Sequence, residues 1–323
     1  MHLTALFFAL ALDRLVGDPD WLWRRFPHPV VAFGKAIGLV DDRFNREDDA
    51  PAMRRHKGML AIAGLVALAL VIGLVLSALF RHLGLVGFVF EVAIVAILIA
   101  QKSLSDHVGA VGAALRAGGL PAGREAVSMI VGRDPEGLDR PAVLRAAIES
   151  LAENFSDGVV APAFWYAVGG LPGLLAYKMI NTADSMIGHL SPRHRDFGRA
   201  AAKLDDLANW PAARLSAALV AGGALIVSGT KAGRAAAGAA LRDAGLHRSP
   251  NAGWPEAAMA GALGLSLGGP RSYGGAAVSA PRLNAAGRRD ADLRDLDRAL
   301  AIYRQGCNFL MAITLGGIFV GLA

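Results

Sequence analysis

Long uncharged stretches alternate with shorter polar segments along the chain. Residues 58–80 carry no charged side chain, and residues 84–100 are interrupted only by Glu91. Because about 20 apolar residues cross a bilayer as a helix, these two stretches predict a transmembrane helical hairpin at 58–100. Weaker apolar stretches occupy residues 159–177, 212–228 and 308–323.

The alternation predicts an all-α, polytopic integral membrane protein with four to six membrane segments in a single domain of residues 1–323. The apolar stretch at residues 3–12 is too short to span a bilayer alone. Glu91 is an acid within a predicted span, and such residues are often functional. Because Glu91 lies outside the polar motifs, we favour a structural hydrogen bond to a neighbouring helix.

Glycines interrupt two of the weaker apolar stretches. Gly169 and Gly170 precede Pro172, and Gly222 and Gly223 lie in the later stretch. This pattern favours broken or re-entrant helices whose freed backbone groups line a polar cavity. Re-entry would also keep every polar block on one side of the membrane.

A polar helix is predicted to begin near residue 139. Asp139 and Pro141 suit the N-cap and the first turn. Glu149 and Glu153 lie four residues apart and repel each other unless Arg145 or a bound metal compensates. The alternatives are a surface ion pair between Arg145 and Glu149, and a turn at residues 157–158. The apolar stripe of this helix comprises Leu144, Ala147, Ile148 and Leu151.

Two further helices present polar faces. The polar face of the first predicted helix comprises Tyr177, Lys178, Asn181, Asp184, Ser185 and Gly188. Its packed face comprises Met179, Ile180, Ala183, Met186 and Ile187. In the second helix Asp205 and Asn209 share one flank at i,i+4, whereas Asp206 lies nearly opposite, so Asp205 is the better site candidate. An ion pair of Lys203 with Asp206 is the alternative. The packed stripe of the second helix comprises Phe197, Ala201, Leu204 and Ala208.

Composition supports a membrane protein. The chain has 323 residues, of which 54% are hydrophobic and 19% charged, and its mean hydropathy is +0.41. The net charge of +6 comes from basic residues that alternate with acids in the loops. That distribution fits the positive-inside rule better than nucleic-acid binding, and it places segments 13–57 and 101–156 in the cytoplasm. The N-terminal run ends at Asp13 without a cleavage site, so it does not predict a cleavable signal.

Several kinds of chemistry have no candidate residues in this sequence. The single cysteine, Cys307, excludes a disulfide within the chain, and no HExxH, GxxxxGK[ST] or GxSxG motif occurs. The remaining polar inventory is carboxylates, amides and basic side chains. These groups suit Mg²⁺ and phosphate, because Mg²⁺ prefers oxygen ligands and is usually shared with substrate phosphates.

Seven motifs follow one another along the chain. They are LDRLVGDP (12–19), HPV (28–30), VGRDP (131–135), ESLAENFSDG (149–158), NTADSMIGH (181–189), DDLANWPAAR (205–214) and PNAGWPEAAMAGALGLSLGG (250–269). Together they resemble the CobD/CbiB family, the adenosylcobinamide-phosphate synthases of cobalamin biosynthesis, in family order over roughly residues 3–275. His189 departs from the family pattern, which commonly has Tyr there.

The resemblance implies a ligase in the bacterial inner membrane whose site faces the cytoplasm. Such an enzyme joins the free propionate of adenosylcobyric acid to the amino group of (R)-1-amino-2-propanol phosphate or threonine phosphate. ATP as co-substrate and Mg²⁺ drive amide formation, with either ADP or AMP as product. A homo-oligomer or a complex with other late enzymes of cobalamin synthesis is compatible with this role.

The resemblance and the helix faces together suggest roles for site residues in the motif-bearing regions 131–214 and 250–269 and near the N-terminus. We expect Asp184 and Asp205 to hold Mg²⁺ and nucleotide phosphate. Glu149 or Glu153 is expected to act as a base, with Glu149 also a metal ligand. The other expected substrate- or phosphate-binding residues are Asp18, His28, Arg133, Asn154, Asp157, Lys178, Asn181, Ser185, Asn209, Arg214 and Asn251.

A corrinoid is a large amphiphilic ring and needs an apolar wall with amide partners. Trp165, Tyr166, Trp210 and Trp254 suit that wall, although aromatic residues near spans also serve as interface anchors.

Two other functions fit part of the pattern. An Mg²⁺-dependent intramembrane prenyltransferase also uses acidic and amide motifs, but this chain has few spans and much polar loop for that class. A non-enzymatic transporter would explain Glu91 and the broken helices, but not the acidic motifs outside the long spans.

Overall fold

A computed structural model describes residues 2–132, 135–273, 276–278 and 280–322. The predicted all-α class of a polytopic membrane protein is confirmed, because helices make up nearly all of the regular structure. The contacts define two units. The first unit contains the described parts of residues 1–100, 161–209 and 317–323, and the second those of 101–160 and 210–316. The single-domain expectation stays a prediction.

The first unit is a bundle of helices numbered here in chain order. Helix α4 packs against both α5 and α9, and α1 packs against α5. The helices that lie in this unit are α1 (His2–Val16), α2 (Asp20–Trp23), α3 (Pro29–Phe44), α4 (Pro51–His82), α5 (Gly84–Leu98) and α9 (Ala161–Ile187). The start of α10 (Arg199–Ser228) and the end of α13 (Leu293–Leu322) also belong to it.

Helices α4 and α5 form the predicted hairpin. The chain reverses at Gly84, whose φ of +58° is accessible to glycine at little cost. Helix α4 then lies close to α9, since a Cβ on Gly73 would overlap the backbone of Pro172. Small residues at such crossings let membrane helices approach closely.

Four helical stretches are long and apolar enough to cross a membrane, in agreement with the lower predicted number. The C-terminal stretch predicted at 308–323 lies in α13, which is not one of the four within the described chain. The four are Pro51–His82, Gly84–Ala117, Arg140–Ile187 and Arg199–Ser228.

The second unit packs shorter helices around α8. Helix α12 packs against α11 and α8, and α6 packs against α7 and α8. The helices of this unit are α6 (Gln101–Ala117), α7 (Gly119–Ser128), α8 (Arg140–Asn154), α11 (Thr230–Asp243), a 3₁₀ turn (Ala244–Leu246), α12 (Gly253–Leu263) and the larger parts of α10 and α13.

Two short antiparallel hairpins in the second unit were not predicted. Strand β1 (Leu267–Gly268) pairs with β4 (Arg282–Leu283), and between them β2 (Arg271–Tyr273) pairs with β3 (Ala276–Val278). Leu267 opposes Leu283 in the first pair. With two or three residues each, these strands are too short to give a period-2 signal in sequence.

The two glycine pairs behave differently. Gly170 has φ +59° and ψ −150°, so α9 is broken at that residue, as predicted. Helix α10 is continuous through Gly222 and Gly223, and the prediction of a break there was wrong. Gly223 instead lies so close to the Ile302 carbonyl that a Cβ would not fit. These glycines serve helix packing.

The start of α8 matches its prediction. Asp139 accepts a hydrogen bond from the Ala142 amide at 2.8 Å, with Pro141 in the first turn. All four predicted stripe residues of α8 are buried.

At the C-terminal end of α8 the chain continues through a π-helical turn (Phe155–Val160) into α9, so the alternative of a turn at Asp157 and Gly158 was wrong. Short π-helical turns within helices are frequent at functional sites.

Candidate functional site

The polar face of α9 lies in the first unit. Lys178, Asn181 and Asp184 recur at three-residue steps and are partly exposed, whereas most of the predicted packed face is buried. Two predictions on this helix were wrong. Tyr177 is buried and its hydroxyl donates to Asn209 Oδ1 at 2.9 Å, and Met186 is 38% exposed.

Asp205 is the most enclosed carboxylate of the first-unit site. It is 8% exposed and accepts a hydrogen bond from Asn181 Nδ2 at 3.3 Å. The side-chain amide of Asn209 lies beside it, and the buried Nδ2 of Asn209 has no hydrogen bond of normal geometry within the described chain. The site thus joins α9 and α10 through amides rather than through an ion pair.

Asp184 lies close enough to Asp205 for the two carboxylates to repel each other. Asp206 adds a second negative charge near Asp184, and His189 is a nearby basic group. A Cβ on Gly188 would overlap the Asp184 carboxylate, so glycine leaves it room. Among the described residues, no lysine or arginine belongs to the groups with the largest electrostatic effect on the Asp205 carboxylate.

Asp206 and His189 were not predicted as site residues. The helical wheel placed Asp206 opposite Asp205 on α10, but Asp184 on α9 is near both of them. Periodicity within one helix contains no information about the neighbouring helix. The one sequence signal for His189 was that the family commonly has Tyr at this position.

Asp18, His28 and Lys178 form a second polar group in the first unit. His28 Nε2 lies 3.9 Å from Asp18 Oδ1, and His28 Nδ1 accepts a hydrogen bond from the Val30 amide at the start of α3. Burial lowers the pKa of His28; the Asp18 carboxylate opposes this shift and the Lys178 ammonium adds to it. Neutral His28 therefore caps α3.

Glu149 belongs to the second unit and is 5% exposed, so the surface reading of this residue was wrong. Its Oε1 accepts a hydrogen bond from the Gly268 amide at 2.8 Å. Gly268 and Gly269 both have positive φ, 71° and 91°, which glycine adopts at little cost. The carboxylate thus anchors the loop at β1 to α8, and its predicted role as a base or metal ligand stays a prediction.

Four of the remaining candidates are more exposed. Glu153, Asn154 and Ser185 are exposed, and Asp157 is partly exposed in the π-helical turn. The Asn154 amide donates to the Ser150 carbonyl and the Ser185 hydroxyl to the Asn181 carbonyl, each one turn back in its own helix. Arg133 lies outside the described residues.

Arg214 and Asn251 meet in the second unit. Arg214 Nη1 donates to Asn251 Oδ1 at 3.2 Å and to the Trp210 carbonyl at 2.9 Å. Asn251 is 4% exposed. The structure therefore brings together two predicted residues that lie in different motifs.

Two of the four aromatic residues suggested for a corrinoid wall donate side-chain hydrogen bonds within the first unit. Tyr166 is fully buried, and its hydroxyl donates to Glu91 Oε1 at 2.6 Å, which confirms the structural hydrogen bond expected for Glu91. The Trp165 indole N–H donates to the Ala208 carbonyl at 2.9 Å. Burial removes Tyr166 from a ligand-facing wall.

Glu256 is a further buried acid that the sequence analysis did not select. It is 1% exposed in α12, and its Oε1 lies 3.7 Å from His247 Nε2. The available signal was its position inside the quoted motif of residues 250–269. An acid between Pro255 and an alanine run gives no helix-face pattern of its own.

The donor set around Asp205 fits Mg²⁺ shared with a substrate phosphate. Within the described chain no group of three or more His, Cys, Asp or Glu residues is arranged to hold a metal. A complete protein cage is therefore not present there. Mg²⁺ commonly uses only one or two carboxylates and completes its shell with water and phosphate oxygens, which Asp184 and Asp205 suit.

Comparisons with known proteins agree over nearly the whole chain. The family model described as "CobD/Cbib protein" matches residues 6–303. A relative from Sinorhizobium sp. named "Cobalamin biosynthesis protein CobD" is 61% identical over 97% of both chains. Proteins of the same name from Rhizobium meliloti (strain 1021) and Brucella suis biovar 1 (strain 1330) are 60% and 56% identical, covering 95% and 100% of this chain and 94% and 98% of theirs. No solved structure matches the chain.

Proposed function

The chain belongs to the CobD/CbiB family of cobalamin biosynthesis proteins, and on that premise we propose that it is the ATP- and Mg²⁺-dependent ligase of adenosylcobinamide phosphate formation. It would join the free propionate of adenosylcobyric acid to (R)-1-amino-2-propanol phosphate or threonine phosphate. The observation that carries the proposal is the pair of mutually repelling carboxylates, Asp184 and Asp205, surrounded by amides.

The reaction requires activation of a carboxylate, which has no leaving group for an amine to displace. A propionate oxygen attacks either the γ-phosphorus of ATP, which gives an acyl phosphate and expels ADP, or the α-phosphorus, which gives an acyl adenylate and expels pyrophosphate. The amine then attacks the acyl carbon, and phosphate or AMP leaves as the amide bond forms. The amine must lose a proton, so a base near its nitrogen is needed.

Asp184 and Asp205 would hold Mg²⁺, which when bound neutralises phosphate charge. The Asn181 amide already donates to Asp205 and fixes the orientation of that carboxylate. Lys178 lies one turn before Asn181 on the same face and supplies a cation for a phosphate. These residues position the nucleotide.

Glu149 and Glu153 are the candidates for the base. Glu149 is buried and already accepts a hydrogen bond from the Gly268 amide. Glu153 is exposed and lies one turn further along α8. Comparing Glu149→Gln with Glu153→Gln identifies the base, because only its loss should leave nucleotide binding intact while abolishing amide formation.

The proposal is tested in membranes that contain only this protein from the pathway. We expect ATP- and Mg²⁺-dependent loss of adenosylcobyric acid, with formation of adenosylcobinamide phosphate. Asp184→Asn and Asp205→Asn should each lower turnover by about 100-fold or more, since they remove charge from the phosphate site. The matched control is Asp42→Asn, because Asp42 is an aspartate of the first unit with an 83% exposed side chain. Absence of any new amide with the wild-type protein would refute the proposed activity.

A further inference from the structure

Arg214 is held between two indole rings. Its guanidinium carbon lies 4.2 Å from the ring centroid of Trp210 and 4.8 Å from that of Trp254. Trp210 precedes it by one turn in α10, and Trp254 lies in the first turn of α12. Stacking on both sides fixes the plane of the guanidinium, so its N–H groups point along defined directions.

The hydrogen bonds of Arg214 leave its charge uncompensated. Nη1 donates to the Trp210 carbonyl and to Asn251 Oδ1, both neutral acceptors. Among the described residues Arg214 has no acidic partner, and its Nε and Nη2 groups donate no hydrogen bond. The two rings attract the guanidinium but carry no net charge, so the site still attracts an anion.

Three other arginines of the second unit have carboxylate partners. Arg116 pairs with Asp297 at 2.7 Å and Arg242 with Asp243 at 2.8 Å. Arg288 likewise pairs with Asp295. Arg214 differs from these three arginines, because its hydrogen bonds go to neutral groups only.

The loop before α12 fixes the position of Asn251. The Ser249 hydroxyl accepts hydrogen bonds from the amides of Asn251 and Ala252, both at 3.2 Å. His247 Nδ1 in turn accepts from the Ser249 amide at 3.1 Å. These hydrogen bonds hold the loop in place, so Asn251 can orient Arg214. Its side-chain amide is neutral and supplies no negative charge.

We propose that Arg214, clamped by Trp210 and Trp254 and oriented by Asn251, binds the phosphomonoester of the amine substrate. This inference rests on the proposed function and assigns one of its substrates to a place in the second unit. A guanidinium with fixed plane and free donors suits bidentate contact with a phosphate dianion.

A lipid phosphate is the competing source of the same chemistry. An arginine that serves headgroups usually extends a flexible side chain to the interface. Arg214 instead is half-buried and immobilised on both faces. The geometry favours a soluble phosphomonoester, because bidentate contact with its phosphate needs N–H donors that are already oriented.

The kinetic test compares phosphorylated and unphosphorylated 1-amino-2-propanol as substrates. Arg214→Gln should raise the KM for the phosphorylated amine about 10- to 100-fold, as expected for lost hydrogen bonds to a charged group. It should leave kcat/KM for the unphosphorylated amine and the KM for ATP nearly unchanged. Arg214→Lys should recover only part of the loss, because lysine keeps the charge without the planar fork.

Arg116→Gln and Arg116→Lys are the matched controls. Arg116 is an arginine of the same unit with an exposed acidic partner, and we expect no change in either KM. An equal loss for both amines in Arg214→Gln would indicate a purely structural role and would overturn the inference. A rise confined to the KM for ATP would overturn it as well.

A binding measurement separates this inference from the proposed activity. Calorimetry of the full chain in neutral detergent should detect saturable binding of inorganic phosphate, at least tenfold weaker in Arg214→Gln. Binding that is equal in the two proteins, or that vanishes when anionic phospholipid is added, would contradict the inference. If the wild-type protein forms no amide, the proposed function fails, while Arg214-dependent phosphate binding would still support the subsite.

Discussion

At the scale of single residues, the site is defined by Asp184 and Asp205, two neighbouring carboxylates that repel each other. Asp205 is buried beside Asp184 and accepts a hydrogen bond from the Asn181 side-chain amide. In a folded chain that arrangement is unfavourable unless a cation is bound or one carboxylate takes up a proton, because nearby like charges repel strongly away from bulk water. A cation brought in with the nucleotide would relieve that repulsion, so ligand binding should stabilise the first unit.

His28 gives a pH-dependent prediction at the same scale. Burial lowers its pKa from the ordinary value of 6.5, so the folded protein favours neutral His28. Its contribution to stability is complete above that value and is lost as pH falls through the lower pKa of the folded state. We expect the wild-type melting temperature in detergent to fall between about pH 7 and pH 5, and His28→Gln to flatten that slope.

The control for the histidine prediction is His56→Gln, which changes an exposed histidine in the same unit. This variant should keep the wild-type slope of melting temperature against pH. Identical slopes in wild type and His28→Gln would exclude His28 as the titrating cap.

The structural roles of single residues were predictable from sequence where a rule within one helix decides them. The cap at Asp139 follows from spacing within one helix, and the structure contains it. The contact of Glu149 with the Gly268 amide, and the position of Asp206 near Asp184, depend on packing between elements distant in sequence. No periodicity within one element contains that information.

At the scale of elements, close helix packing decides which glycines break a helix. Gly170 adopts a positive φ and breaks α9, whereas Gly222 and Gly223 leave α10 continuous because they admit a neighbouring helix. Both sites contain two adjacent glycines, but only the first pair is followed two residues later by a proline, Pro172, which favours a break. The approach of α13 to Gly223 in the second unit explains the glycines of α10, and the local sequence does not show that contact.

The contact of α4 with α9 gives a stability prediction. Gly73→Ala places a Cβ against the backbone of Pro172, which cannot move like a flexible side chain. We expect destabilisation of about 1–3 kcal/mol from this overpacking. Thermal unfolding of the purified protein in detergent measures it.

Gly64→Ala is the control, because Gly64 lies in the same helix and a Cβ there meets nothing within 4 Å. It should leave stability unchanged or raise it slightly, since alanine favours helix more than glycine. Similar destabilisation by both substitutions would contradict the proposed packing origin.

At the scale of the whole molecule, the sequence predicts the fold class better than it predicts how the chain passes through the membrane. Hydropathy alone indicated the hairpin of α4 and α5 and the minimum of four spans. The bilayer sidedness of the first-unit site is still a prediction from the positive-inside rule. A measurement of which side of the membrane the loops face also decides whether α9 crosses the bilayer or re-enters at Gly170.

Cysteine accessibility tests that sidedness. In a Cys307→Ser background, Asp48→Cys and Leu190→Cys should react with a membrane-impermeant maleimide from the cytoplasmic side. His82→Cys, at the turn between α4 and α5, should react from the opposite side. All three positions are exposed in the structure. Labelling of Leu190→Cys from the same side as His82→Cys would reverse the predicted orientation of the site.

The most direct test of the central claim is metal–nucleotide binding at Asp184 and Asp205. Electron paramagnetic resonance of Mn²⁺ with a non-hydrolysable ATP analogue would measure binding to the full chain in neutral detergent. We predict a saturable Mn²⁺–nucleotide complex in the wild type and in Asp42→Asn, and at least tenfold weaker binding in both Asp184→Asn and Asp205→Asn. Equal affinity in all four proteins would show that the carboxylate pair does not hold the nucleotide's metal.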